Sequence, residues 1–192
     1  RKMRQNPDSF VWDTPYENLF LMPSSPVLSD MEKELESRYK IYKLRDALEK
    51  LDDEYDRVYI DTPPNFNFYS KAALIAADAV LIPFDCDSFA RQSLYSLLDN
   101  IAELREDHNP DMEVEGIVIN QFNSQARLPS ELVDELEEEG MPIFGSYLNT
   151  SVKMKESHRD HRPLIDLAPS HKLTGQFLDL HAELEKTLAA AA

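Results

Sequence analysis

The chain has almost no cysteine, little glycine and a shortage of positive charge, and each lack removes a class of function. Its single cysteine, Cys86, excludes an internal disulfide framework, a cysteine-based zinc ribbon and a bridging iron–sulfur cluster, and fits a reducing, cytoplasmic setting. The four glycines, Gly116, Gly140, Gly145 and Gly175, are scattered. Neither a G-x-x-x-x-G-K-[ST] cradle nor a G-x-G-x-x-G turn can be written with them, so these residues do not hold a phosphate on a glycine-rich loop. Lysine and arginine number 20 against 36 aspartates and glutamates, for a net charge of −16. A surface of that sign repels a phosphate backbone, so any contact with nucleic acid must be local. Long apolar runs are also missing: the run at residues 72–77 stops at Asp78, far short of the roughly 20 residues that span a bilayer. The opening Arg1-Lys2-Met3-Arg4 leads into polar residues rather than the apolar stretch of a signal peptide.

What remains is an ordinary globular composition, 42% hydrophobic and 29% charged over 192 residues, which excludes wholesale disorder and suits one large domain. Residues 1–17 carry no periodicity and are expected to be irregular, with the domain occupying residues 18–192. Asn18-Leu19-Phe20-Leu21-Met22 reads as a short buried strand closed by Pro23 and Pro26. Ser29 and Glu32 form an S-x-x-E capping pattern at the start of a long helical region reaching about Leu51, with Ile41, Leu44, Leu48 and Leu51 on one face. Val58-Tyr59-Ile60 suits a central strand, which Pro63 and Pro64 then force out of the sheet.

A helix follows over residues 69–77, then an apolar run at residues 79–84, then a helix striped by Leu94, Leu97, Leu98, Ile101 and Leu104. Residues 114–120 supply another strand, Ser130 caps a helix ending at Gly140, and residues 143–148 are a further candidate strand. The last helix, from about Lys172, carries Leu173, Phe177, Leu180, Leu184 and Leu188 on one stripe. Strands without alternation, separated by amphipathic helices, predict an α/β fold: a mostly parallel sheet with helices on both faces and right-handed crossovers.

In such sheets ligands bind beyond the carboxyl ends of the strands. Asp61, directly after Val58-Tyr59-Ile60, is therefore placed to hold a metal or a water; local sequence equally allows an Asp that caps the following turn. Asn120 ends its strand in the same way, and an asparagine there also serves simply to turn the chain.

The order Tyr55-Asp56-Arg57-Val58-Tyr59-Ile60-Asp61-Thr62-Pro63-Pro64, then Ala76-Ala77-Asp78-Ala79-Val80-Leu81-Ile82-Pro83, then Gly116-Ile117-Val118-Ile119-Asn120 resembles the ParA/MinD family of deviant Walker ATPases, of the chromosome or plasmid partitioning type. The likeness extends to Arg162-Pro163-Leu164 and Ala168-Pro169-Ser170 and covers most of the chain from Leu19 onward. It implies a P-loop NTPase-like fold binding ATP and Mg²⁺, with Asp61 as the Walker B carboxylate holding Mg²⁺ through a water. It implies a switch loop at residues 62–66 with Pro63 at the nucleotide, and Asn120 on the adenine edge. Leu148 takes the place of the proline usual in the base-contacting loop, and Ser93 lies near where a glycine is common. By the same likeness the family's P-loop, its signature lysines and its first switch Asp would all lie N-terminal to Arg1. The chain is accordingly expected to be the C-terminal portion of a longer protein, with no catalytic residue of its own.

ParA-type dimers bind DNA non-specifically with ATP bound and answer to a partner protein that stimulates hydrolysis. On that likeness Arg127 and Lys153 match basic positions that contact DNA phosphates, and the locally basic stretch at residues 153–162 adds Lys155, Arg159 and Arg162 as candidates, with Glu156 and Asp160 interleaved among them. His158 and His161, three residues apart without a third ligand, read as surface histidines rather than a metal pair. The acidic run at residues 134–139 reads as a solvated helix face. The last helix sets Asp179, Glu183 and Glu185 against Lys172 and Lys186, so attachment to anionic membrane is not expected. Two other functions fit the same residues: an ATP-dependent amidoligase of the cobyrinic acid diamide synthase or dethiobiotin synthetase type, and a non-catalytic interaction module.

Overall fold

In the computed structural model, which describes residues 6–86, 90–123 and 125–191, the chain forms two compact units. One is drawn from Arg1–Asp78 and Asn100–Met112, the other from Ala79–Asp99 and Glu113–Ala192. No helix among the described residues is long and apolar enough to cross a membrane.

The first unit opens with a 3-10 turn, Pro7–Phe10, and strand β1 (Trp12–Asp13), which pairs antiparallel with β2 (Phe20–Leu21). Thr14 Oγ1 donates to the Leu19 carbonyl at 2.6 Å across the intervening loop. The buried strand expected at residues 18–22 is thus a two-residue, solvent-facing one. Its single described neighbour is equally short and equally exposed, and a hairpin of this size has no second layer to bury it.

Helix α1 (Val27–Ser37) and helix α2 (Lys43–Leu48) replace the one long helix expected from the leucine spacing. Tyr39, at φ 54°, takes a left-handed turn between them, and Lys40 N–H closes back on the Leu35 carbonyl at 3.0 Å. The expected capping box is also absent. Pro26, at φ −55°, starts the helix earlier and leaves Ser29 inside it, while Glu32 accepts instead from the Phe68 N–H at 3.2 Å.

The stretch around Val58-Tyr59-Ile60 carries no strand, and Val58 and Tyr59 are 52% and 68% exposed. Strand propensity measures fit to a half-buried pleated surface, and among the described residues no strand lies alongside to provide one. Helix α3 (Phe68–Ala76) forms as expected. Its cap is Asn67, whose Oδ1 accepts from the Tyr69 and Ser70 N–H groups, each at 3.1 Å. At its other end Asn109 Nδ2 donates to the Leu74 and Ala77 carbonyls at 3.0 and 2.8 Å, satisfying acceptors that a helix terminus leaves open.

In the second unit β3 (Ala79–Asp85) and β4 (Glu113–Asn120) pair in parallel from Ala79↔Glu113 to Asp85↔Asn120, with one irregularity at Val80/Leu81. Helix α4 (Ala90–His108) contributes residues to both units, and α5 (Arg127–Glu138) follows β4. Ser130 lies inside α5, whose cap is Ala126; Gly140, at φ 77°, ends the turn after it as expected.

The candidate strand at residues 143–148 meets β4 through one isolated parallel bridge, Ile117↔Ile143, and backbone bonds from Phe144 N–H to Ile117 and Leu148 N–H to Ile119; a second bridge, Phe122↔Asn149, lies just beyond both segments. The middle of the candidate strand is diverted: Gly145 and Ser146 donate their N–H groups to the Glu183 carboxylate at 2.7 and 3.1 Å. Helix α6 (Val152–Asp160), the short α7 (Leu164–Leu167) and α8 (Lys172–Ala191) complete the unit. Leu173 and Leu184 of α8 join Val118, Phe144, Leu148 and Leu164 in one core, with Leu81, Leu180 and Leu188 packed against it. Phe177 leaves the expected stripe and stands 38% exposed. The architecture is the expected α/β one, with a parallel strand pairing and helices between strands.

Candidate functional site

The two longest strands end side by side on polar residues. Asp85 and Asn120 are register partners, and Asn120 Nδ2 donates to Asp85 Oδ1 at 2.9 Å. The other oxygen, Oδ2, accepts from Gln121 Nε2 at 2.7 Å, and Gln121 turns the chain out of the strand at φ 50°. Backbone bonds from Leu148 N–H to Ile119 and from Phe122 N–H to Leu148, both 2.9 Å, brace the main chain on either side of Asn120. The Leu148 side chain itself is 6% exposed and belongs to the core, so what it offers at this end of the strands is its backbone.

Tyr147 lies edge-on to Phe122 with ring centres 5.0 Å apart and donates its hydroxyl to Glu137 at 3.0 Å. Partial burial, then the Glu137 carboxylate, pushes its phenol up to about 12. Asp85 also lines an open surface hollow of about 360 Å³ together with Pro83, Ala90, Ser93 and Leu97.

The loop of the first unit is organised by a residue that sequence reasoning passed over. Ser70, buried on α3, donates its hydroxyl to the Asn65 carbonyl at 2.5 Å and lies 3.4 Å from that of Pro63. Lys71 Nζ sits over the Phe66 ring, 5.5 Å from its centre. Residues 61–65 all face solvent, Asp61 and Pro63 included. Magnesium takes one or two carboxylates, keeps several waters and draws its remaining ligands from substrate phosphates. A single solvent-facing carboxylate fits that share of the coordination. No group of three or more His, Cys, Asp or Glu able to hold a metal occurs among the described residues.

Three of the five basic candidates are paired with carboxylates. Arg127, first residue of α5, bonds Glu131 at 2.6 Å; Lys153 of α6 bonds Glu156 at 2.6 Å; Arg159 bonds Asp160 at 2.8 Å. Arg162 donates to the Asp166 carbonyl at 3.1 Å, and Lys155 is exposed on α6. Mutual hydrogen bonding raises the Arg159 guanidinium above its ordinary value and lowers the Asp160 carboxyl below its own. His158 and His161 are both exposed. The acidic run is exposed at each of its carboxylates, as expected of a solvated face; on it Glu135 and Glu139 hold Arg91 and Glu139 also accepts from Tyr95, while Leu136 between them is fully buried.

Asp85, Gln121, Tyr147 and Ser70 went unread in the sequence. Asp85 alone left a signal, since it follows an apolar run just as Asn120 does, and parallel pairing of the two runs brings their ends together.

The AAA domain family matches residues 3–114, more than half of the chain. The chromosome partitioning protein ParA of Myxococcus xanthus (strain DK1622) is 33% identical over 175 residues, covering 90% of this chain and 62% of that protein. Among solved structures, apo McdA of Cyanothece is similar with a TM-score of 0.83 at 23% identity, over 94% of this chain and 73% of its own. Cobyrinic acid a,c-diamide synthase from Mycobacterium smegmatis, with a bound ATP analog and magnesium, gives a TM-score of 0.71 at 25% identity, over 77% of this chain and 59% of that one. The chain therefore spans less than two thirds of the length of the curated ParA it matches.

Proposed function

Because the chain belongs to the AAA domain family, in its ParA/MinD branch, we propose that the protein is a cytoplasmic partition-type ATPase. On this reading it hydrolyses ATP with Mg²⁺ as a nucleotide-dependent dimer, binds DNA non-specifically, and answers to a stimulating partner in positioning DNA or another cargo. Residues 18–192 supply the switch and base-recognition half. The carrying observation is the Asn120 side chain anchored at the carboxyl end of β4 by Asp85, since ligands of open α/β sheets sit beyond that end.

Asn120 presents its amide to an adenine edge, with Leu148 bracing the strand end through its backbone. Asp61 holds Mg²⁺ through a water, and the metal supplies charge neutralisation at the phosphates when bound. Pro63 and the rest of the loop at residues 62–66, tied to α3 by Ser70, form the segment that responds to the nucleotide. Arg127, Lys153, Lys155, Arg159 and Arg162 contact DNA phosphates, the first, second and fourth of them once Glu131, Glu156 and Asp160 release them. No glycine-rich phosphate cradle occurs in these 192 residues, so they are expected to be inactive alone.

The test uses the natural-length gene product. Mg²⁺-dependent ATP hydrolysis is expected, falling about 100-fold in Asp61→Asn. ATP-dependent DNA affinity is expected to fall steeply with salt and to vanish in Lys153→Glu. Absence of hydrolysis, or a salt-independent affinity, would refute the corresponding part. The similarity to the cobyrinic acid a,c-diamide synthase supports a second reading, an ATP-dependent amidoligase, whose ATP turnover would require a small acid and an amide donor.

A further inference from the structure

An asparagine amide carries a donor on one side and an acceptor on the other, and the two are exchanged by a half-turn of the side chain. At Asn120 the choice is made by chemistry. An ionised carboxylate only accepts, so the group facing Asp85 Oδ1 at 2.9 Å must be Nδ2. The carboxylate is held in turn, because its second oxygen takes Gln121 Nε2 at 2.7 Å. Strand register sets Asp85 directly across from Asn120, and the backbone on both sides of Asn120 is fixed by Leu148. With Nδ2 committed to Asp85, the oxygen Oδ1 is turned to the other side of the amide.

We propose that Asp85 is a positioning residue for base selection: by holding Nδ2 of Asn120 it turns the Asn120 carbonyl oxygen toward the nucleotide and so favours adenine over a purine with an exocyclic oxygen. Adenine offers an amino donor where guanine and hypoxanthine offer an acceptor. Against a fixed Asn120 oxygen the amino group gains a hydrogen bond, whereas the oxo group sets two acceptors face to face, and a site built around one polar pattern rejects the analogue that leaves it unpaired. If Asp85 became an amide, able to donate as well as accept, Asn120 would be free to turn and offer N–H to the oxo group.

This inference rests on the reading of Asn120 as the base contact, and the experiment separates the two. Binding of ATP and of inosine triphosphate, which carries an oxygen in place of adenine's amine, is measured on the natural-length protein by competition against a fluorescent ADP analogue. Wild type is expected to prefer ATP by about tenfold or more. Asp85→Asn is expected to bring the ratio close to one and to tighten inosine triphosphate binding, a gain that mere loss of structure cannot produce. Equal binding of the two nucleotides by wild type would overturn the orientation while leaving nucleotide binding intact, and that comparison stands even where the variant fails to fold. A folded Asp85→Asn that keeps the wild-type ratio would overturn the role of Asp85 alone. No binding of either nucleotide would overturn the base-site reading together with it.

Discussion

A methyl group at Gly116 has no room: a Cβ built there would come within 3.0 Å of the Phe144 ring. Gly116→Ala is expected to cost about 1 to 3 kcal/mol by overpacking, read as a lower urea midpoint, and Phe144→Leu in the same chain should recover part of it. Ser70→Ala removes a buried hydroxyl and leaves the Asn65 carbonyl without its 2.5 Å donor. The expected cost is about 1 kcal/mol, accompanied by faster proteolysis within residues 62–66. Tyr147 yields a pH prediction. Its folded pKa is raised from 10.0 to about 12, so its contribution to stability is complete below pH 10.0 and is lost as pH rises from there through about 12. In an ultraviolet phenolate titration it should be among the last tyrosines to ionise, and Glu137→Gln should bring it down. Asp61 and Asn120 could be picked from the sequence because each closes an apolar run. Ser70 and Tyr147 could not, because a serine inside a helix and a tyrosine in a loop acquire meaning only through the Asn65 carbonyl and the Glu137 carboxylate they meet.

Among the elements, α3, α4 and α8 and the pair β3–β4 follow from periodicity, since each buries a continuous run or stripe that has one sensible partner. Where expectation and structure part, a specific group has intervened. The helix expected through Leu51 breaks at Tyr39, a left-handed residue with no glycine to announce it. The strand expected at residues 143–148 loses its middle to Glu183, an acceptor 38 positions away in sequence. Glu183→Ala is therefore expected to destabilise the second unit by about 1 to 3 kcal/mol, because two N–H groups lose a charged acceptor at once. Faster hydrogen exchange at Gly145 and Ser146 would show it. Asn67→Ala, which strips the cap from α3, should cost about 1 kcal/mol and appear as fraying at Tyr69 and Ser70 in the same measurement.

Over the whole molecule, the net charge of −16 predicts that salt stabilises the fold by screening self-repulsion. The melting temperature at neutral pH should rise between low salt and about 0.5 M, where the Debye length falls to a few ångströms. If the proposed DNA binding runs through the basic residues, the same salt weakens it, so stability and affinity should move in opposite directions along one titration. The division into two units was not visible in the sequence, because α4 reads as one uninterrupted amphipathic helix yet contributes residues to both. The chain has a single tryptophan, and Trp12 stands 63% exposed on β1, within the first unit. Its emission is therefore a built-in optical probe of that unit alone, whereas far-ultraviolet circular dichroism averages the helices of both. Melting followed by the two signals at once reveals, without any label, whether the units come apart in one step or in two.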